Sequence, residues 1–456
     1  MKIESLTQNL ANRIANIRYE DLPEKTVKIT KQYILDYLGN SIGGWTQKNM
    51  DIMYKTLGNS SDGTSAIMLN GKKGAVNSVL YSAMLNAAAS HSLDFDDLHN
   101  PSIIHMACVT VPSALAVAED EEKSGKDILA ALVAGYEAGA RIGESVNPEA
   151  YYFWHTTSTC GVFSSAATVA NLKKFNTDQM VHCLGTAGTQ AGGLWEFLID
   201  GAMSKTLHAG KANFAGILSA KLTENGFTAA EKILDGDKGF CRAMLAEPRW
   251  EKLTEDIEGF KIDDNSFKPY ACCKYTHPSN YAAQLLRNEH NLRPEDVEKV
   301  AIRSNRIVKQ LVDNAHPKNP YGAKFSIQYC VSTMLKDGKL GIDQFSDENL
   351  VNAETQRLMK NVEVIVDPKL DEEYTEQPDR WAVELTITGK DGKEYTKFVE
   401  YPKGDPPNPM TWDEAVEKFM DLSVPVYGKE VCEKLVHLVV TLEEHDNFKK
   451  ALAECF

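Results

Sequence analysis

At 456 residues the chain is too long for a single hydrophobic core, so two domains are expected. Hydrophobic residues at 43% and charged residues at 25% describe an ordinary soluble globular protein, and no apolar run approaches the ~20 residues of a membrane span. A formal net charge of −15 argues against nucleic acid and anionic membrane as partners, so an anionic ligand would need a local cluster of Lys, Arg and His.

The chain opens with Met1-Lys2-Ile3-Glu4-Ser5, which lacks the apolar stretch of a signal peptide and points to cytoplasmic residence. Leu6, Leu10, Ile14 and Ile17 share one helical stripe. Pro23 opens a second helix carrying Val27, Ile34 and Leu38, which Gly39, Gly43 and Gly44 are expected to end. Thr64 to Gly71 reads as a short loop or strand, and Ala75 to Ala89 as an apolar helix. That helix runs into His91-Ser92-Leu93-Asp94-Phe95-Asp96-Asp97-Leu98-His99, and Asn100-Pro101 is expected to stop it before Ile104-His105. Three carboxylates and three imidazoles thus fall within fifteen residues. At the end of a buried helix such groups are costly to desolvate unless they are paired or used. Taken singly, Asp96 and Asp97 read as caps and the histidines as solvent-facing; taken together, the six read as a site.

From Ala107 to about Leu222 the spacing predicts helix after helix, over Val111 to Glu121, Asp127 to Val146 and Val162 to Phe175. Small residues there, among them Gly135, Gly139, Ala166 and Ala167, let helix backbones approach closely. Neither G-x-G-x-x-G after a strand nor a P-loop is present, so nucleotide binding is unsupported. Two stretches in this body stand out. Phe153-Trp154-His155-Thr156-Thr157-Ser158-Thr159-Cys160-Gly161 offers hydroxyls to cap the helix that follows, and Gly201 to Lys211 sets Lys205 among small and apolar residues.

After about Lys261 the character changes. Val297 to Ser304 and Val362 to Val366 read as strands, and Trp381, Val383, Leu385 and Ile387 alternate with polar residues. Gly389 to Gly392 then turns the chain into Glu394 to Val399. Trp412 to Phe419 and Lys429 to Leu442 return to helix. The fold class is therefore mainly α: a large all-helical domain from residues 1–263 and 404–456, with a smaller α+β domain from 264–403. At the seam, Lys268-Pro269-Tyr270-Ala271-Cys272-Cys273-Lys274-Tyr275-Thr276-His277-Pro278 offers Lys268, Lys274 and His277 to a polyanion. The nine cysteines are scattered without C-x-x-C spacing, so neither a disulfide framework nor a structural metal site is indicated.

Bases and cations in this combination suit removal of a proton next to a carboxylate, the base taking the proton while Lys and His stabilise the developing charge. Asp94, Asp96, His99 and His105 could instead ligate a divalent ion for metal-assisted hydrolysis, though no H-E-x-x-H is present. A pocket that binds without catalysing is the third reading.

Five segments, in order, resemble the MmgE/PrpD family: His91 to Asp97 with His105 following, Phe153 to Thr157, Met203 to Gly210, Lys268 to Pro278, and Lys403-Gly404-Asp405-Pro406 through Trp412. The resemblance implies a helical domain built from both ends of the chain, an α+β lid and a homodimer. It implies chemistry without a cofactor or metal on a small di- or tricarboxylate, such as 2-methylcitrate dehydration, cis-aconitate decarboxylation or iminodisuccinate epimerisation. Carried over residue by residue, it makes Asp94, His105 and Lys205 catalytic. His105 would exchange the proton with Asp94 orienting it, and Lys205, His155 and His277 would hold substrate carboxylates. Leu98 stands where the family often has Thr, Met106 where it often has Pro, and no tyrosine lies near Leu311-Val312. These departures favour a hydro-lyase of the 2-methylcitrate dehydratase kind over decarboxylation.

Overall fold

The computed structural model describes residues 5–200, 202–377 and 380–456; Met1 to Glu4 and Gly201 of the sequence reading lie outside them. The protein is mainly α-helical. Its first helices are α1 (Leu6–Ala15), α2 (Glu24–Gly44) and α3 (Lys48–Leu57), followed by the short strands β1 (Ala66–Ile67) and β2 (Val76–Asn77). Next come α4 (Val79–Ser90), α5 (Ala107–Asp120), α6 (Gly125–Val146) and α7 (Thr156–Thr159). They are followed by α8 (Gly161–Leu172), α9 (Thr177–Gly188), α10 (Phe197–Asp200), α11 (Ser204–Glu224) and α12 (Phe240–Met244). The middle of the chain contains α13 (His277–His290), β3 (Val297–Ser304), α14 (Arg306–Val312), α15 (Pro320–Ala323) and α16 (Ile327–Asp337). It continues through α17 (Asp347–Leu350), α18 (Ala353–Met359), β4 (Val362–Val366), α19 (Pro368–Glu376), β5 (Val383–Gly389) and β6 (Glu394–Val399). The helices α20 (Trp412–Tyr427), α21 (Lys429–Val440) and α22 (Phe448–Ala453) close it.

The chain divides into two compact units, Met1–Asn265 with Thr411–Phe456, and Ser266–Met410. The first is a helical body that also carries the antiparallel pair β1–β2, so it is not wholly helical as expected. That pair takes Val76 and Asn77 out of the helix predicted from Ala75, and α4 begins at Val79.

Gly39 and Gly43 do not end α2; they lie inside it. A Cβ on Gly39 would sit 3.2 Å from the Phe419 backbone, and one on Gly43 3.3 Å from both Leu93 and Leu422. Helical glycine is disfavoured by about 1 kcal/mol, which the close approach of α20 offsets by burying α2 against it. The same logic joins α6 to α8: a Cβ on Gly135 would collide with Thr168 Oγ1, and one on Gly139 with Ser164 Oγ.

Helix α5 contains Pro112, which has no N–H and frees the carbonyl of Cys108 one turn back. The Asn213 side chain from α11 repairs the gap. Its Nδ2 donates to the Cys108 carbonyl at 2.8 Å and its Oδ1 accepts the Ser113 N–H at 3.1 Å.

In the second unit the sheet order is β4-β3-β5-β6. β3 runs parallel to β4 and antiparallel to β5, which pairs with β6 across the Gly389–Gly392 turn. Alternate residues of β5 are buried, as the period-two pattern requires, and Trp381 just before it stacks on Tyr275 with ring centres 4.1 Å apart. The 403–409 segment belongs to this unit: Gly404 accepts the Phe267 N–H at 2.8 Å and Asp405 pairs with Lys274 at 2.6 Å. Among the described residues no helix is long and apolar enough to cross a membrane, and every cysteine is a free thiol.

Candidate active site

Helix α4 stops at Ser90, earlier than Asn100-Pro101 suggested, and His91 is its C-cap, its N–H reaching the Ala87 carbonyl at 3.2 Å. The chain then doubles back. His99 donates its N–H to Ile104 O at 2.9 Å, which closes a loop around Asn100 to Ile103 and returns His105 to the level of His91. Two residues are strained in making this turn, Asp94 at φ 54° and Ile103 at φ 52°. For a β-branched residue such as Ile103 the left-handed region is an outlier, held here by its surroundings. The Thr156 hydroxyl donates to the Ile103 carbonyl at 2.8 Å, and Thr157 Oγ1 accepts the His105 N–H at 3.2 Å. The hydroxyls of the 153–161 stretch therefore tie down this loop. They do not cap α7, whose N-cap is His155 with no side-chain hydrogen bond. Behind the loop, Lys418 of α20 donates to the Phe95 carbonyl at 2.6 Å and pairs with Asp36 at 2.7 Å.

The three carboxylates have separate tasks. Asp94 faces Lys205, whose Nζ lies 2.6 Å from Oδ1; both are buried. Asp96 lies between two imidazoles, with Oδ2 2.7 Å from His91 Nδ1 and Oδ1 3.3 Å from His105 Nδ1. Asp97 accepts from the Ala107 N–H at 3.0 Å, Tyr136 OH at 3.0 Å and Asn265 Nδ2 at 2.7 Å, and so caps α5 from outside it. Asp96 is thus a carboxylate beside His105 that the family resemblance did not single out.

Burial opposes the charge on Asp96, yet the His105 and His91 imidazoles hold it well below the usual carboxylate range. Burial pushes His91 down to about 4, against the opposing pull of Asp96. It pushes Asp97 up to about 8, reinforced by the neighbouring charges of Asp96 and Asp36. The site therefore holds an ionised Asp96 beside a neutral His91.

Lys205 and His208 stand three residues apart in the first turns of α11, on one face. His208 Nδ1 lies 2.9 Å from His155 Nδ1, and burial lowers both imidazoles, His208 to about 4. The His155 ring stacks against His91 at 5.6 Å and 19°, and Trp195 covers it at 4.6 Å. The first unit thus gathers Asp94, His105, His155 and Lys205 in one buried group. It also recruits His91, Asp96 and His208, to which the family resemblance gave no role; the His91 to Asp97 motif and the Lys205–His208 spacing were the available signals.

The ligand set Asp94, Asp96, His99 and His105 is not assembled. Asp94 faces Lys205, while His99 pairs with Ser102 Oγ at 2.8 Å and burial lowers it to about 3. Among the described residues the metal-type cluster is His91, Asp96 and His105, with ligand atoms within 4.8 Å of one another.

The other expected residues lie in the second unit. Lys274 is buried between Asp405 at 2.6 Å and the Phe267 carbonyl at 3.1 Å, with its charge already matched. His277 opens α13, its Nε2 lying 3.2 Å from the Cys272 carbonyl and its ring edge-on to Tyr270. Lys268 is buried.

The MmgE/PrpD N-terminal domain model matches residues 8–253 and the MmgE/PrpD C-terminal domain model residues 270–444. Cis-aconitate decarboxylase of Homo sapiens is 26% identical over 460 residues, covering 97% of this chain and 93% of that protein. Cis-aconitate decarboxylase of Aspergillus terreus is 25% identical over 469 residues, covering 96% and 93%. The mitochondrial 2-methylcitrate dehydratase of Yarrowia lipolytica is 29% identical over 115 residues, 24% of this chain and 22% of that protein. Matched by both domain models over most of its length, the chain belongs to the MmgE/PrpD family.

Proposed function

We propose that the protein is a cofactor-independent lyase acting on a small di- or tricarboxylate, with His105 exchanging a proton at a carbon next to a carboxylate. The observation that carries this reading is Asp96 set between His91 and His105, beside the buried Asp94–Lys205 pair. An ionised Asp96 keeps a hydrogen on His105 Nδ1, which leaves Nε2 free to give or take a proton. Lys205 is a compact cation for a substrate carboxylate or the charge that develops on it, with His155 alongside.

Decarboxylation of an unsaturated tricarboxylate such as cis-aconitate is the favoured reaction, supported by the relatives aligned over nearly their full length. There the C–C bond to one carboxylate breaks, carbon dioxide leaves, and the electron pair left on carbon takes the Nε2 proton of a doubly protonated His105, which takes a proton back from solvent before the next turnover. Dehydration of a 2-methylcitrate-like substrate is the second reading, supported by the shorter match and by Leu98 and Met106 in place of the family's frequent Thr and Pro. Epimerisation of iminodisuccinate keeps both carboxylates: a base takes the C–H proton next to one of them, and the carbanion is reprotonated on its other face. Lys268, Lys274 and His277 are assigned to substrate carboxylates, Lys274 lying against Asp405 as Lys205 lies against Asp94. In keeping with the family resemblance, the second unit is assigned as a lid and the working form as a homodimer.

The test is incubation with cis-aconitate, 2-methylcitrate, citrate and iminodisuccinate in deuterated water, following carbon dioxide, double-bond absorbance and deuterium in the product. Turnover of one of these, unaffected by EDTA and reduced about 10²–10⁴-fold in His105→Ala, is expected. If none is turned over and none raises the melting temperature at millimolar concentration, the reading fails.

A further inference from the structure

His91 makes its one side-chain hydrogen bond to Asp96, and its other ring nitrogen is buried with no hydrogen-bond partner among the described residues. A buried imidazole with one nitrogen unsatisfied gains folding little, because the desolvated nitrogen offsets the hydrogen bond. Its position is nevertheless tightly set. The backbone is the C-cap of α4, one ring face stacks on His155, and the ring meets His105 edge-on with centres 4.7 Å apart. What this rigid ring does is occupy Asp96 Oδ2 at 2.7 Å, which fixes the carboxylate so that Oδ1 is the atom presented to His105 Nδ1. At 3.3 Å the two atoms make no hydrogen bond, but the carboxylate is close enough to favour a hydrogen on that nitrogen.

We propose that His91 is a positioning residue: acting through Asp96, it holds His105 as the Nδ1–H tautomer and so reserves Nε2 for proton exchange. An ionised carboxylate can only accept, so both nitrogens that face it carry hydrogen. With His91 in place Asp96 cannot turn both oxygens toward other donors, and the hydrogen on His105 stays on the side away from the reacting carbon. This deepens the assignment of His105 as the proton-exchanging residue and rests on it, but the tautomer can be read without turnover.

The experiment uses the full chain labelled with ¹⁵N-histidine. Long-range ¹H–¹⁵N spectra give the tautomer of each imidazole, and the His105 signals are identified by their loss in His105→Gln. The wild type is expected to show His105 as Nδ1–H. His91→Leu, similar in volume but without the donor, is expected to move His105 toward Nε2–H and to lower kcat about 10–100-fold with KM changed less than threefold. His91→Asn places an amide N–H where Nδ1 stood and is expected to restore both the tautomer and most of kcat. Should His91→Leu not fold, His91→Gln, whose amide reaches the Nε2 position, replaces it as the variant that fails to rescue. Wild-type His105 found as Nε2–H, or a His105 tautomer that stays unchanged when His91 loses its donor, overturns the proposal. If no tested carboxylate is turned over but the tautomer responds as stated, the positioning stands and the assigned reaction is what failed.

Discussion

Asp96 and Lys205 divide the work at the scale of single residues. Asp96 touches the imidazole that moves the proton, so Asp96→Asn, which puts an amide where two N–H groups need an acceptor, is expected to act on kcat. A fall of about 10²–10⁴-fold with little change in KM is expected, measured by steady-state kinetics on whichever carboxylate is turned over. Lys205 supplies a charge-assisted hydrogen bond worth about 1.5–3 kcal/mol, so Lys205→Ala is expected to raise KM by about 10–100-fold in the same assay. Equal effects of both variants on KM would show that the two side chains share one binding task. The split between Asp94 and Asp96 could not be read from the motif. Both carboxylates stand two residues apart in an irregular loop, and the left-handed backbone at Asp94 decides which one turns to α11.

At the scale of elements, close helix contacts through missing side chains hold the body beneath the site. A methyl group added at Gly139 would collide with Ser164 Oγ and come within 3.0 Å of Met106 Cε, and Met106 directly follows His105. Gly139→Ala is therefore expected to cost about 1–3 kcal/mol by overpacking, despite the better helix propensity of alanine, measured by urea unfolding. A gain in stability would mean that α6 and α8 can separate freely. The small residues of this region announced close packing in the sequence. The repair of α5 by Asn213 did not, because a lone Asn in a helical pattern looks like a weak helix former until the helix with Pro112 lies beside it.

At the scale of the whole molecule, Asp97 makes stability fall with pH. Its folded value of about 8 lies above the ordinary 3.8, so the folded state binds the extra proton. Its contribution is full below about 4 and is lost as pH rises toward 8. His91 works the other way: its folded value of about 4 lies below 6.5, so its contribution is full above 6.5 and is lost as pH falls toward 4. Burial lowers His99, His155 and His208 in the same sense, so their slopes add to that of His91 below pH 6.5. Above 6.5 the raised Asp97, joined by Glu119 up to about 7, makes stability fall. Asp97→Asn is expected to flatten the fall in melting temperature across that upper window while lowering stability by about 1–3 kcal/mol through its unmatched donors. A melting temperature that drops equally steeply in the variant would remove Asp97 from the account. Light scattering on the purified chain tests the proposed dimer.

Fold class, the run of helices, the α+β middle and the chemistry-bearing motifs followed from sequence alone, since hydrophobic period and short residue patterns are local properties. Which glycines break a helix and which admit a neighbour, that β2 replaces the first turn of α4, and that Asp97 caps α5 all depended on partners distant in sequence. So did the pairing of His105 with Asp96, of Asp94 with Lys205 and of Lys274 with Asp405. A charged or imidazole side chain acquires its role from the atom within about 3 Å of it, and only the folded chain chooses that atom.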